Sequence, residues 1–187
     1  MTDRPKLQLV SVALLSLACV AFSVCPMADT GFPAWLWHLT PFFAVGLLFG
    51  AGMATWRAVA VVVGMRLLAD FGIWAVTGKA DWAFYGWGQL WTYAGLMTLP
   101  LIGRLVDPKR AATVVGGAVA GPVAFFLVSN FGVWLGDPVR SLGQVYYDGL
   151  PFLRNSLAAT PLYALGLFHP AVLPRLCGDG ASERAVA

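Results

Sequence analysis

Two ionisable residues sit four apart inside a long apolar run, Arg66 and Asp70. On a helix that spacing puts them on one face, close enough to pair. A lone charge in a hydrocarbon core costs a few kcal/mol or more, so each needs a partner, a ligand or water. Two chemistries fit. The pair locks its helix against a neighbour, or Asp70 hydrogen-bonds a ligand or holds a ligand-binding residue. Asn130 is an amide in a second apolar run, and its side chain needs donors and acceptors from another helix or a ligand. Arg154 and Asn155 follow Pro151, which suits a helix start. A cation in a first turn opposes the helix dipole. Asp70, Asp148, or a ligand carboxylate or phosphate would then face Arg154, unless it snorkels to lipid headgroups.

Acid–base, nucleophilic and metal chemistries lack their residues. His38 and His169, the two histidines, fall on opposite sides in the topology below. Cys19, Cys25 and Cys177 have no metal-ligand spacing and make no disulfide framework. There is no phosphate-binding loop or Walker motif, no serine with a credible base, and no basic stripe for nucleic acid. The expectation is a non-enzyme, without cofactor or metal.

The elements that position these residues are membrane helices. The chain has 187 residues, 59% hydrophobic and 11% charged, against about 25% charged in a soluble domain. A hydrocarbon core takes about 20 apolar residues of helix. The stretches 7–25, 36–53, 57–77, 83–103, 112–135 and 153–173 qualify, within a single membrane domain over 1–175. The fold class expected is an all-α integral membrane protein, a bundle of six transmembrane helices. The runs are continuous rather than alternating, which argues against a β-barrel. Arg4 and Lys6 before the first run also fit a signal peptide, but the run is long enough to span, so an uncleaved helix is expected. Residues 176–187 read as a short disordered tail. Gly46 and Gly50, and Gly117 and Gly121, are pairs four apart that let helix backbones approach, mainly within one subunit.

Lysine and arginine bias sets the orientation. With both termini cytoplasmic, Arg4, Lys6, Arg57, Arg104, Lys109, Arg110, Arg175 and Arg184 lie inside, and only Lys79 and Arg140 lie in outer loops. In that topology Trp35, Trp37, Trp74, Trp82, Trp87, Trp91 and Trp134 gather at the outer side and Trp56 alone at the inner. An interfacial aromatic belt has two rims. A one-sided crowd beside polar groups suits a small-molecule pocket with flat apolar walls. The candidate binding set is Asp70, Trp74, Tyr85, Trp87, Trp91, Asn130, Trp134, Tyr147, Arg154 and Asn155.

The blocks Leu39-Thr40-Pro41, Gly46 to Gly52 and Leu68-Ala69-Asp70 resemble a family of small bacterial six-helix membrane proteins of uncharacterised function. So do Phe125 to Trp134 and Leu150 to Ser156, the more specific blocks; the likeness covers about 38–168. That family in turn is similar to the substrate-binding S components of energy-coupling-factor vitamin transporters, including the solitary cobalamin transporters. The resemblance implies an S-component-like bundle with an outward pocket near Asp70, Tyr85, Asn130 and Arg154. Two features depart from it. The cobalt-ligating cysteine that the solitary transporters place after the third span has no counterpart in Thr77–Tyr85, which excludes cobalt–thiolate chemistry there. Ala13, Ser16, Ala18 and Ala21 do not make the Ala-xxx-Ala spacing used to dock an energising subunit.

These readings lead to an uptake protein of the bacterial inner membrane, binding a vitamin-like small molecule, with cobalamin or a related corrinoid the first candidate. Its partners would be the ligand, the lipid bilayer and any energising transporter subunits, because the chain has no ATPase. The alternative is a non-transporting scaffold or assembly partner whose buried polar residues only fix helix packing.

Overall fold

The computed structural model describes residues 6–27 and 39–177. Trp35, Trp37, His38 and the tail from 178 onward lie outside the described residues. Among the described residues every regular element is helical: α1 (Leu9–Val24), a 3₁₀ turn (Cys25–Met27), α2 (Phe42–Gly52), α3 (Thr55–Thr77), α4 (Ala80–Ala83), α5 (Trp87–Gly103), α6 (Ala111–Gly136), α7 (Leu142–Leu167) and α8 (Leu173–Cys177). Leu9–Met27, Thr55–Thr77 and Ala111–Gly136 are long and apolar enough to cross a membrane.

The helices pack in the order α1, α3, α5, α6, α7, and α2 sits among them, touching α5, α7, α6, α3 and α1. Nine of its 11 residues, Phe42 and Ala44 through Ala51, are buried. Two cores meet along it. Val45 and Phe49 pack with Val62, Met65, Leu96 and Leu99. Leu47, Leu48 and Ala51 pack with Val114, Ala118, Ala164 and Phe168. The contact with α5 is backbone against backbone. A Cβ on Gly50 would strike the Pro100 carbonyl, and one on Gly103 the Leu47 carbonyl. Gly121 faces Leu99 and Leu47, and Gly117 faces Val106 and Leu47. The small residues on α2 and α6 thus pack within this chain, as their spacing predicts.

Three expected spans are redrawn. Of the second, 36–53, the described part begins at Leu39 and is helical from Phe42. At about 1.5 Å per residue α2 is about 17 Å long, too short for a hydrocarbon core of about 30 Å. Pro41 sits at its start, and the Thr40 hydroxyl accepts from the Phe42 amide at 3.2 Å. The fourth, 83–103, begins at Trp87, because Gly86 adopts φ +66° and breaks the chain between α4 and α5. The sixth, 153–173, is displaced toward the N-terminus. Ser141 caps a helix that starts at Leu142, its hydroxyl accepting from the Gln144 amide at 3.2 Å. Pro151 and Pro161 both lie inside α7. Arg154 is therefore a mid-helix residue, and the dipole argument for a first-turn anion does not apply to it. Residues 176 and 177, read as the start of a disordered tail, belong to α8.

Candidate functional site

The carboxylate of Asp70 is wholly buried, at 0% exposure. Its Oδ1 lies 2.5 Å from Arg66 Nη2, one turn back on α3. Its Oδ2 accepts from the Tyr93 hydroxyl at 2.7 Å and from Gln89 Nε2 at 3.1 Å, both on α5. Gln89 Nε2 is also 3.1 Å from the Ala83 carbonyl and from the Tyr93 hydroxyl oxygen. Gln89 and Tyr93 are four apart, so α5 presents one polar face to the pair that α3 presents. The ion is neutralised by Arg66 and hydrogen-bonded across helices, the condition under which a buried charge is tolerated. Arg66 Nε is buried and makes no hydrogen bond. Arg66 is thus the ion-pair partner of Asp70, whose Oδ2 accepts two hydrogen bonds while its Oδ1 has the ion pair and no hydrogen bond.

Asn130 is engaged locally too. Its Nδ2 donates to the Phe126 carbonyl one turn back at 2.8 Å. Its Oδ1 faces Gly149 of α7, where a Cβ would lie 2.6 Å from it. The amide lies at the contact of α6 and α7. Beside it the Tyr146 hydroxyl donates to the Leu127 carbonyl at 2.7 Å.

The aromatic residues do gather at one end. Trp74, Trp82, Trp87, Trp91 and Trp134 lie at the C-terminal end of α3, in α4, at the N-terminal end of α5 and at the C-terminal end of α6, whereas Trp56 lies at the opposite end, its ring under Arg57. Phe131 ties two of them together, with ring centroids 5.5 Å from Trp91 and 5.6 Å from Trp134. Gly132 makes room for this, since a Cβ there would collide with the Trp91 ring. Trp74 packs edge-on against Phe84. An open cleft of about 550 Å³ lies at this end, lined by Tyr85, Trp87, Gly88, Gly132, Asp137 and Arg140 among others. Trp87 is 74% exposed there. Tyr85 is fixed by a 3.1 Å hydrogen bond from its hydroxyl to Thr92.

Charge in the cleft is organised by Asp137. Its Oδ1 accepts from the amides of Val139 and Arg140 at 2.9 and 3.0 Å, and its Oδ2 meets Arg140 Nε at 2.5 Å. The two amides and the guanidinium hold its carboxyl down, to about 2. Arg140 is pushed up by Asp137 and, more weakly, by Asp148, 3.4 Å from its Nη1.

Tyr147 and Arg154 lie elsewhere, in an open groove of about 520 Å³ along α7 with Leu150, Pro151, Leu153 and Leu157. Asn155, the next residue, is half-buried and not free. The expected site is therefore dispersed over four places. Asp70 is at the α3–α5 contact and Asn130 at the α6–α7 contact. Tyr85 and Trp87 line the cleft, with Trp91 and Trp134 stacked about Phe131 and Trp74 on Phe84. Tyr147 and Arg154 line the groove. Sequence reading missed Gln89 and Tyr93, whose signal was two polar side chains four apart in an apolar helix. It also missed Asp137 and Arg140 as cleft residues.

A family model matches residues 4–175, nearly the whole chain. The chain belongs to DUF6580, a family of unknown function. No curated protein and no solved structure matches this DUF6580 member.

Proposed function

We propose that this chain is a membrane-embedded binding protein that takes up a small, vitamin-like aromatic molecule through the tryptophan-rich end. The observation that carries this reading is the cleft beside Trp87, where an exposed ring and a fixed tyrosine stand next to the Asp137–Arg140 pair. A ligand with a flat ring and one hydrogen-bond donor suits it, the ring against Trp87 and the donor toward the Asp137 carboxylate, since Arg140 is already paired with Asp137 and Asp148. A volume of about 550 Å³ lies in the range of drug-sized ligands. The full reading keeps six membrane-embedded helices, an S-component-like bundle in the bacterial inner membrane, with both termini cytoplasmic and the cleft outside. Active uptake would need an ion gradient or energising subunits.

A second reading, a non-transporting scaffold, is favoured by one observation: Asp70, fully buried, is paired with Arg66 and hydrogen-bonded by Gln89 and Tyr93. The two part in a binding experiment. Purified protein in detergent is titrated with a panel of aromatic vitamins and followed by tryptophan fluorescence and native mass spectrometry. A carrier binds a member of the panel, and Trp87→Ala weakens it by about tenfold or more while the fold is kept. A chain that binds none of the panel, or binds equally well without Trp87, leaves the scaffold.

A further inference from the structure

We propose that the outward face of α7 is a binding site for an anionic phospholipid, with Arg154 holding the headgroup phosphate and the neighbouring leucines an acyl chain. The face is opposite the packing face. Val145, Gly149, Ser156 and Thr160 are buried, whereas Arg154 lies two residues from Ser156, about 200° around the helix, and is exposed. Among the described residues Arg154 makes no hydrogen bond or ion pair, in contrast to Arg66 and Arg140.

Its depth follows from α6, and so rests on the membrane reading of that helix, though not on the cleft. Gly149 meets Asn130, which lies six residues inside the end of α6 at Gly136. Arg154 is five residues deeper. At 1.5 Å per residue that is roughly 16 Å below the end of a helix long and apolar enough to span. A bare guanidinium at that level is costly. Helical side chains lean toward the N-terminus, which directs Arg154 up the groove toward Tyr147 and the headgroup level. Pro151 has no N–H, so the Tyr147 carbonyl loses its helix donor and offers an acceptor to a headgroup hydroxyl. Leu150, Leu153 and Leu157 make the rest of the groove apolar.

Charge decides against a second copy as the occupant. Asp70 is buried, Asp81, Asp107 and Asp137 lie at helix ends or in connections, and Asp148, six residues before Arg154 on α7, is engaged by Arg140 and Gln144, so no described acid reaches this face at mid-helix. A two-fold dimer through α7 would set Arg154 against Arg154. An anionic lipid supplies the missing charge.

The test uses full-length protein in nanodiscs of equal phosphatidylglycerol and phosphatidylcholine, released for native mass spectrometry. Wild type is expected to carry tightly held phosphatidylglycerol. R154Q should lose that preference by about tenfold, R154K should keep part of it, and Leu157→Trp, which fills the groove with its charge intact, should also lower it. Wild type without preference, or R154Q with the wild-type adduct pattern, overturns the proposal. So does a dimer or an acidic protein partner that depends on Arg154. Should R154Q not fold, R154K and Leu157→Trp decide the matter by the same adducts. Release of wild type from membranes by an alkaline wash would defeat the membrane reading itself, a different failure from a missing lipid preference.

Discussion

Arg66 and Arg154 are both arginines set in the middle of long helices, and the molecule treats them in opposite ways. Arg66 turns inward and is paired with a fully buried carboxylate, itself held by two side chains of the next helix. Arg154 turns outward and has no counter-charge among the described residues. A charge matched within the chain stabilises a helix contact and is removed from binding. A charge left unmatched on a lateral face is available to whatever surrounds the protein. The lesson for this chain is that depth in a helix does not mark a ligand site; what matters is whether the chain has already supplied the counter-charge.

The contrast breaks most easily at Asp70. Asp70→Ala leaves Arg66 without its anion, and loss of one partner of a buried pair costs about 3–5 kcal/mol. Thermal unfolding in detergent should show it as a large drop, or as loss of monodisperse protein. Replacing both, Arg66→Met with Asp70→Leu, should recover more than half of that loss, since no buried charge is then left unpaired and only Tyr93 and Gln89 lose an acceptor. Recovery to less than half would mean that Gln89 and Tyr93 need the carboxylate more than Arg66 does.

A smaller effect is expected from Tyr93→Phe, which removes one hydrogen bond to Asp70 and should cost about 1–3 kcal/mol, a bond to a charged group being at the stronger end. On the other side of the comparison, Arg154→Gln should change unfolding by no more than about 0.5 kcal/mol, as for a surface substitution without internal partners. A drop like that of Asp70→Ala would erase the distinction between the two arginines.

The smallest effect concerns the exposed pair at the cleft. The folded carboxyl of Asp137 lies at about 2, below its ordinary 3.8. Its contribution is therefore present above about pH 4 and lost as pH falls from there toward 2. The protection of the Val139 and Arg140 amides against hydrogen exchange, taken relative to an unstructured amide at the same pH, should fall in that window, and in Asp137→Asn this protection should not change across it.

How much of this was legible in the sequence differs by element. α3 and α6 were read nearly to their ends, because continuous apolar composition over 23 and 26 residues is a local property. The Arg66–Asp70 pair was legible for the same reason, both partners being on one helix. Gln89 and Tyr93 were not, since their meaning appears only when α5 lies against α3. The start of α7 was hidden by Gln144, Tyr146, Tyr147 and Asp148, which read as loop but form one turn after another along α6. The dispersal of the candidate site has the same origin: Asn130 and Asp70 look alike in sequence, as polar groups in apolar runs, yet Asn130 bonds within its own helix and Asp70 across to α5.

The short α2 bears on how the protein is made. It is too brief to be threaded across a bilayer alone, and its glycine face fits only against the backbone of α5, at Gly50 on Pro100 and Gly103 on Leu47. Its docking site is synthesised some fifty residues after α2 itself. The N-terminal part of the chain must therefore wait, with its most apolar helix unhoused, until α5 emerges. A nascent chain stopped before Trp87 should be the form that insertion chaperones hold longest and that membrane proteases remove first.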